Sequence, residues 1–422
     1  MAFDWLEARL AERAQQGYLR QRVCQQYEKD NIICIDGEHY LNFASNDYLG
    51  MRHHEGVLQS WVEGLAQFGG GSGASPLVTG HTQAHLALEA YIADGLNREA
   101  ALLFNSGFAA NQALCMALFS GAHNQGANNQ SASNQPPSAA ASIKHSGEIF
   151  ADRLMHASFL EGAMATKAKL RRFRHNDLAH LSNLLEKVDT NSNSDKLVVT
   201  EGVFSMDGDS APLRDMAGIA KQHNAWLMVD DAHGMGVLGE NGLGSIEAQA
   251  LSQSDAPIVM GTFGKAVGTA GAFIAGSQAL IDYLVNFAKH YVYSTAMPPA
   301  QAVATLYSLT HIAADSSRTD ALNYNVAYFR ERFSAQIGDD RNGDLQLANS
   351  NSAIQPIIVG SPKRALALSD ALKARGIWIP AIRYPTVPKG EDRLRITLSA
   401  THTQQDIDVL VDAIALAMES IA

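Results

Sequence analysis

The chain has few cysteines, no long apolar segment and no excess of basic residues, and each of these absences argues against a class of protein. Its 422 residues include three cysteines, Cys24, Cys34 and Cys115, whose spacing fits neither a zinc site nor a disulfide framework. No run of 18 apolar residues occurs, so no transmembrane helix is predicted. Acidic residues outnumber basic ones by 43 to 32, which disfavours a nucleic-acid or anionic-membrane partner.

The first residues, MAFDWLEARLAERAQQ, mix acids and bases and lack the apolar core of a signal peptide. We therefore expect a cytoplasmic protein. Apolar residues make up 46% of the chain and charged residues 18%, close to the average of globular proteins. This length predicts two or three domains.

Short apolar runs alternate with helical segments through most of the chain. The runs ALLF, EIFA, KLRRF, KLVVTEGV, WLMVDDA and IVMGTF are continuous, which is typical of strands buried on both faces. The pattern predicts an α/β fold with a large, mostly parallel sheet. We divide the chain into an N-terminal helix and hairpin (1–50), a large domain (51–290) and a smaller C-terminal α/β domain (291–422).

One segment, 121–147, fits neither part of this pattern. Its sequence, GAHNQGANNQSASNQPPSAAASIKHSG, is rich in Asn, Gln, Ser, Ala, Gly and Pro and has almost nothing to bury. We interpret it as a mobile surface insertion in the large domain, because such a composition usually marks a tolerated loop.

Lys265 and Asp230 are the first candidates for chemistry. Lys265 follows the apolar strand PIVM among small residues, where an amine can form an imine with an aldehyde. Asp230 ends the strand WLMV, and a pyridine-ring cofactor needs such a carboxylate against its ring nitrogen. His233 is placed to contact the phenolic oxygen of the same ring. Asp230, Asp231 and His233 also suggest a metal site, but no second cluster with ligand spacing follows, so no metal is predicted.

Further candidates follow the ends of other predicted strands. The turn Ser106-Gly107-Phe108 begins a helix after ALLF and offers backbone amides to a phosphate. Ser205 and Thr262 add hydroxyl groups, although each is also a common cap or turn residue. His156 follows EIFA and is placed to stack on a cofactor ring, or it is a structural histidine. Ligands of open α/β sheets bind at this edge.

Six strings, taken in order, carry a family resemblance: NFASNDYLG, FNSGFAANQA, EGVFSMDGDSAPL, LMVDDAHGMGVLGENGLGS, TFGKAVG and YSTAMPPA. They resemble the α-oxoamine synthases, pyridoxal-phosphate (PLP) enzymes that condense an amino acid with an acyl thioester and release carbon dioxide. The likeness runs nearly end to end and is interrupted mainly by the 121–147 segment. It implies the aspartate-aminotransferase fold (fold type I) and a homodimer with shared active sites.

The resemblance also implies residue roles. Lys265 is implied as the Schiff-base lysine, Asp230 as the partner of the pyridine nitrogen, His233 as the partner of the ring oxygen, and His156 as the residue stacked over the ring and close to the substrate. The implied phosphate contacts are Gly107, Phe108, Ser205 and Thr262, with Ser294 or Thr295 from a second subunit. The implied substrate contacts are Arg20, Asn46, Thr386 and Arg395.

Three stretches narrow the resemblance: DGDSAPL, SNSAIQPIIVG and AIRYPTVPKGEDRLRITLSATH. They are similar to the biotin-pathway branch of the family, which joins L-alanine to a pimeloyl thioester carried by coenzyme A or by an acyl carrier protein. A glycine-using acetyltransferase or an aminolevulinate-type synthase would need the same lysine and stays open. So does a non-catalytic acyl-carrier-binding protein that has kept the fold.

Overall fold

The computed structural model describes residues 2–119, 147–188, 194–338 and 345–421. The predicted insertion lies outside these residues except for Gly147, which begins a strand. The α-helices are α1 (Trp5–Gln15), α2 (Glu55–Phe68), α3 (Gln83–Gly95), α4 (Gly107–Phe119), α5 (Ala157–Met164), α6 (Leu178–Glu186), α7 (Leu213–Gln222), α8 (Ser245–Ala248), α9 (Gln278–Phe287), α10 (Lys289–Val292), α11 (Pro299–Ala314), α12 (Ser317–Gln336), α13 (Pro362–Lys373) and α14 (Gln404–Ile421).

The strands are β1 (Gln25–Lys29), β2 (Ile32–Ile35), β3 (Glu38–Asn42), β4 (Ala100–Phe104), β5 (Gly147–Asp152), β6 (Lys169–Phe173), β7 (Asp195–Glu201), β8 (Trp226–Asp230), β9 (Ile258–Thr262), β10 (Ala272–Gly276), β11 (Gln346–Leu347), β12 (Ile354–Ile358), β13 (Ile377–Trp378), β14 (Ala381–Ile382) and β15 (Arg393–Thr397). A short 3-10 helix covers Met51–His53, and a π-helical turn covers Pro76–Gly80.

The chain forms two compact units. The terminal unit comprises Met1–Gly50, Ser205–Asp209 and Ser316–Ala422, and the central unit comprises Met51–Phe204 and Ser210–Asp315. This division differs from the three segments drawn from the sequence. The segment 1–50 joins the C-terminal residues because β3 pairs with β13 in parallel. Residues 291–315 belong to the central unit, where α11 packs against α2.

The central unit is built on a seven-stranded sheet with the order β4-β10-β9-β8-β7-β5-β6. Strand β10 runs antiparallel to both of its neighbours, β4 and β9, and the other pairs are parallel. The predicted large, mostly parallel sheet is therefore confirmed. Each of the six apolar runs that predicted a strand forms one of β4 to β9.

Alternate residues of the central strands pack into two separate cores, which explains the continuous apolar runs. Leu227 and Val229 belong to the core on one face of the sheet. Met228, between them, belongs to the core on the other face. Because side chains alternate along a strand, a strand with helices on both sides needs apolar residues at every position.

The terminal unit holds two smaller sheets, with the orders β1-β2-β3-β13 and β11-β12-β15-β14. Arginines of β15 tie the segment 205–209 to this unit. The Arg393 side chain is fully buried and donates to the carbonyl of Met206 at 3.1 Å and to Oδ1 of Asp207 at 2.8 Å. Arg395 donates from Nε to the carbonyl of Ser205 at 2.6 Å. Within the described residues no helix is long and apolar enough to cross a bilayer.

Candidate active site

The Lys265 amine lies beside a hydroxyl group at the carboxyl end of β9. Its Nζ atom is 3.5 Å from Oγ1 of Thr262, the last residue of the strand, and that hydroxyl donates to the carbonyl of Ala232 at 3.4 Å. Two backbone hydrogen bonds, from Gly268 N to the Lys265 carbonyl and from Thr269 N to the Phe263 carbonyl, each 2.9 Å long, close the turn that carries the lysine. The Lys265 side chain is thus half-buried at the edge of the sheet.

Asp230 ends the neighbouring strand, β8, and its carboxylate is held on both oxygens. Oδ1 accepts from the backbone N–H of Ala232 at 3.2 Å, and Oδ2 accepts from Nδ2 of Asn111 at 2.9 Å. Asp230 and His233 are both buried, at 4% and 7% exposure. The carboxylate is therefore fixed in place at the same edge as Lys265.

His156 caps helix α5 just beyond the end of β5. The strand ends at Asp152, whose Oδ1 accepts from the backbone N–H of Leu154 at 2.8 Å and so bends the chain. Nδ1 of His156 then accepts from the backbone N–H of Ser158 at 3.3 Å. As a residue His156 is exposed, so part of its side chain is accessible beyond this cap.

The amino end of α4 approaches β9 closely. A Cβ atom at Gly107 would lie 2.7 Å from Cγ2 of Thr262, so only glycine permits this approach. The hydroxyl of Ser106 accepts from the backbone N–H of Ala109 at 3.2 Å, and Phe108 is exposed. Free backbone N–H groups at a helix start, next to the Thr262 hydroxyl, form the kind of site that binds a phosphate.

Two further predicted cofactor contacts, Ser294 and Thr295, lie beside the end of β4. Asn105, which follows β4, donates from Nδ2 to the carbonyl of Thr295 at 2.8 Å. Ser294 and Thr295 also line a small cavity with His81, His85 and Tyr291. Whether these two residues serve a second subunit remains a prediction.

The predicted substrate contacts lie in the terminal unit and form two groups. Arg20 donates to the hydroxyl of Thr386 at 3.1 Å. Arg395 donates from Nη1 to Oδ1 of Asn46 at 3.1 Å, in addition to its bond with the carbonyl of Ser205. Ser205, a predicted phosphate contact, therefore belongs to the Arg395 group.

Sequence analysis missed three residues that the structure connects to these groups, and it named a fourth, Asp231, only as a possible metal ligand. Asn111 and Ser158 join Asp230 to His156, and Asp231 supports the turn that carries His233. Tyr48, fully buried, donates to Oδ1 of Asn46 at 3.3 Å and hydrogen-bonds Arg395. The available signal was a polar residue among apolar ones, since Asn111 is buried in helix α4 and the other buried residues of that helix are apolar.

Asp231 is enclosed by glycines and by Ser245. Its oxygens accept from the Ser245 backbone N–H at 2.5 Å and from its hydroxyl at 2.7 Å. A Cβ atom at Gly202, Gly234 or Gly244 would lie 2.1 Å from one of the carboxylate oxygens. Burial raises the pKa of Asp231 to about 6, with the Asp230 charge acting in the same direction and the bonds from Ser245 opposing it.

The residues of the central unit fit pyridoxal phosphate in chemical type. An amine for the aldehyde, a buried carboxylate for the ring nitrogen and a helix start with a hydroxyl for the phosphate lie in one continuous set of contacts. In the described part of the chain, no group of three or more His, Cys, Asp or Glu side chains is arranged to hold a metal ion.

Comparison with known proteins decides the family. Residues 38–414 match the family described as aminotransferase class I and II. The 8-amino-7-oxononanoate synthase of Cellvibrio japonicus is 45% identical over 417 residues, covering 99% of this chain and 96% of that protein. The enzyme of the same name from Aeromonas hydrophila is 44% identical over 410 residues, covering 97% and 94%. The chain belongs to the 8-amino-7-oxononanoate synthase family.

Solved structures agree with this family. Serine palmitoyltransferase from S. paucimobilis, in a variant with a bound PLP–myriocin aldimine, superposes with a TM-score of 0.86 at 26% identity, covering 99% of this chain and 98% of that one. The 8-amino-7-oxononanoate synthase of Francisella tularensis gives 0.71 at 29% identity, covering 90% and 98%. The fold-type-I prediction and the PLP prediction are confirmed. The chain is a PLP-dependent enzyme of a family that works in biotin biosynthesis.

Asp231 gives the first testable prediction. Because its pKa is higher in the fold than the ordinary 3.8, the protonated form is favoured by folding, and its contribution is present below about pH 4 and lost as the pH rises through about 6. The free energy of unfolding of the wild type, relative to Asp231→Asn, should therefore fall by about 3 kcal/mol from pH 4 to pH 7. Urea unfolding of the cofactor-free protein measures this difference.

The matched control is Asp255→Asn. Hydrogen bonds from Lys221 and Ser252 lower the pKa of Asp255 to about 2, so its contribution is present above about pH 4 and lost as the pH falls. Between pH 4 and pH 7 the difference between the wild type and Asp255→Asn should therefore stay nearly constant, and it should shrink only below pH 4. A difference for Asp231→Asn that is constant or grows with pH would contradict the account of its burial.

Proposed function

We propose that this chain condenses L-alanine with a pimeloyl thioester to give 8-amino-7-oxononanoate, carbon dioxide and free thiol. The observation that carries the proposal is the contact between Lys265 and Thr262, continued through Ala232 to Asp230. It places a nucleophilic amine and a fixed carboxylate at the ends of adjacent parallel strands. Relatives that match over nearly their whole length are named 8-amino-7-oxononanoate synthase, and this supports the choice of reaction.

Bound PLP would supply an aldehyde for covalent attachment and a ring that withdraws electrons from the substrate. Lys265 is the proposed point of attachment. The proposed ring contacts are Asp230 at the nitrogen, His233 at the phenolic oxygen and His156 over one face. The proposed phosphate contacts are Ser106, Gly107, Phe108, Ser205 and Thr262, with Ser294 and Thr295 contributed to a second subunit.

In the remaining steps, side chains of this protein act on the two substrates. Once the alanine amine has replaced it on the cofactor, the freed Lys265 amine takes the α-proton of alanine, a task that suits an amine in a partly buried site. The α-carbon then bonds to the thioester carbonyl carbon, and the thiolate leaves and takes a proton from solvent. The bond from the α-carbon to the carboxylate breaks to release carbon dioxide, and a proton from Lys265 replaces it.

The alanine carboxylate is assigned to the Arg395 group. Arg395 as a whole is 7% exposed, and its guanidinium is held by Asn46, Ser205 and Thr397. A fixed guanidinium fork suits a planar carboxylate. Arg20 and Thr386, both exposed, are the proposed contacts for the rest of the substrate.

A substrate panel tests the reaction. Purified protein loaded with PLP is assayed with alanine or glycine against pimeloyl, acetyl and succinyl thioesters, using both coenzyme A and acyl-carrier-protein carriers. We expect product with alanine and a pimeloyl thioester, and none from Lys265→Ala. The preference for alanine over glycine should be about 10- to 200-fold, because one methyl group contributes about 1–3 kcal/mol.

The results of this panel distinguish the proposed reaction from its alternatives. A higher kcat/KM with glycine and a short acyl donor would replace the proposal with a glycine-using synthase. Full activity in Lys265→Ala would contradict the assignment of the lysine. A wild type that binds PLP but converts none of these substrates would favour the non-catalytic acyl-carrier-binding protein.

We also propose that the enzyme is a homodimer. Helix α2 packs one side against α11 and exposes Leu58, Val62 and Leu65, which lie on one face because they are four and three residues apart. Leu77 and Val78, at 52% and 73% exposure, add to the apolar surface of the central unit. An exposed apolar stripe of this kind is typical of a protein interface.

Sedimentation of the wild type and of the double variant Leu58→Asp/Val62→Asp tests this interface. We expect the wild type to sediment at twice the 45.3 kDa chain mass and the variant as a monomer, because two buried carboxylates would lack partners. Leu416→Asp, a change at an equally exposed leucine of the terminal unit, is the control and should stay dimeric. A monomeric wild type would contradict the proposal.

A further inference from the structure

A buried hydrogen-bond chain joins the two polar residues proposed to contact the cofactor ring. Asn111 Nδ2 lies 2.9 Å from Oδ2 of Asp230 and 2.9 Å from Oγ of Ser158. The Ser158 hydroxyl in turn lies 2.7 Å from Nδ1 of His156. Asn111 and Ser158 are each 1% exposed, so solvent does not compete for these bonds.

These hydrogen bonds allow only one assignment of donor and acceptor at each atom. The amide nitrogen of Asn111 carries two hydrogens, one for each of its partners. The opposite amide orientation would place its oxygen against the Asp230 carboxylate and leave both acceptors without a donor. Because the Ser158 oxygen accepts from Asn111, its own hydrogen is left for Nδ1 of His156.

Two donors therefore converge on Nδ1 of His156. The hydroxyl of Ser158 contributes one, and the backbone N–H of the same residue contributes the second at 3.3 Å. A proton on Nδ1 would face both of them, so the neutral ring must carry its hydrogen on Nε2. The exposed side of the ring is then a hydrogen-bond donor rather than an acceptor.

We propose that Asn111 and Ser158 are positioning residues that hold His156 as the Nε2–H tautomer and couple its orientation to that of Asp230. This inference rests on the proposed contacts of His156 and Asp230 with the cofactor ring. Asn111 sets both ends at once, because a single amide group orients the carboxylate and directs the serine hydroxyl. His156 then presents a donor to a carboxylate or carbonyl oxygen of the substrate, while its face stays free to stack.

Three titratable side chains near these hydrogen bonds have partners other than His156. They are Asp152 on β5, Asp230 on β8 and Cys115 on α4. Asp152 is engaged by Leu154 N and by His175. Asp230 is separated from the imidazole by Asn111, and the Cys115 thiol faces the carbonyl of Phe159 at 3.7 Å.

The test is the tautomer of His156, read from the ¹⁵N chemical shifts of its two ring nitrogens in alkaline buffer, in cofactor-free protein labelled at histidine and assigned with His156→Gln. In the wild type the Nε2 signal should be that of a protonated ring nitrogen and the Nδ1 signal that of an acceptor. Ser158→Ala removes the hydroxyl donor, so both shifts should move toward those of a mixture of the two tautomers, whereas Ser158→Thr keeps the hydroxyl and should match the wild type. Ser308→Ala, which removes another fully buried hydroxyl, should leave both His156 shifts unchanged.

Asn111→Asp tests the other end of the chain. It replaces both donor hydrogens by a carboxylate facing Asp230, and the repulsion between the two carboxylates should turn Asp230 away from the position that Asn111 now fixes. PLP, titrated into the apo protein, should bind at least about tenfold more weakly than to the wild type. Unchanged His156 ring-nitrogen shifts in Ser158→Ala, or unchanged PLP affinity in Asn111→Asp, would overturn the inference. Neither measurement needs a substrate, so a failed condensation assay would leave both results standing.

Discussion

The backbone pairing of β7, β8 and β9 is the constraint on which the candidate site depends. Parallel hydrogen bonding places Glu201 opposite Asp230 and Asp230 opposite Met260, so the three strands end within a few residues of one another. Asp230 and Thr262 are thereby brought to one edge although 32 positions separate them in the sequence. A slip of one residue would turn Asp230 to the other face of the sheet. The positions of Asp230 and Thr262 at this edge are thus determined by the backbone pairing of the strands.

The adjacent acids Asp230 and Asp231 point in different directions and have different partners. Asp230 keeps its carboxylate at the sheet edge, held by Asn111 and the Ala232 backbone. Asp231 turns into the protein and accepts from Ser245 inside an enclosure of glycines. That enclosure costs free energy, since burial opposes the charge, but it fixes the turn that leads to His233. Asp230 is the proposed contact of the cofactor ring, and Asp231 supports the loop.

The sequence predicted the central sheet well because its signals are local. Each buried strand is a continuous apolar run, and Asp230, Lys265 and Ser106 follow strand ends that can be located from those runs. The grouping of residues 1–50 with the C-terminal residues depends on the pairing of β3 with β13, which no local pattern reveals. Asn111, Ser158 and Tyr48 were missed for a related reason. Their roles come from contacts between distant residues, and each resembles an ordinary buried polar residue when seen only in its own segment.

The central claim is that Lys265 carries the cofactor. The most direct measurement is borohydride reduction of the PLP-loaded enzyme, followed by proteolysis and mass spectrometry of the peptides, with Lys265→Ala treated in parallel. The account predicts that the stable cofactor adduct maps to the peptide containing Lys265 and is absent from the variant. A reduced adduct on another lysine of the wild type, or no adduct in protein saturated with PLP, would contradict it.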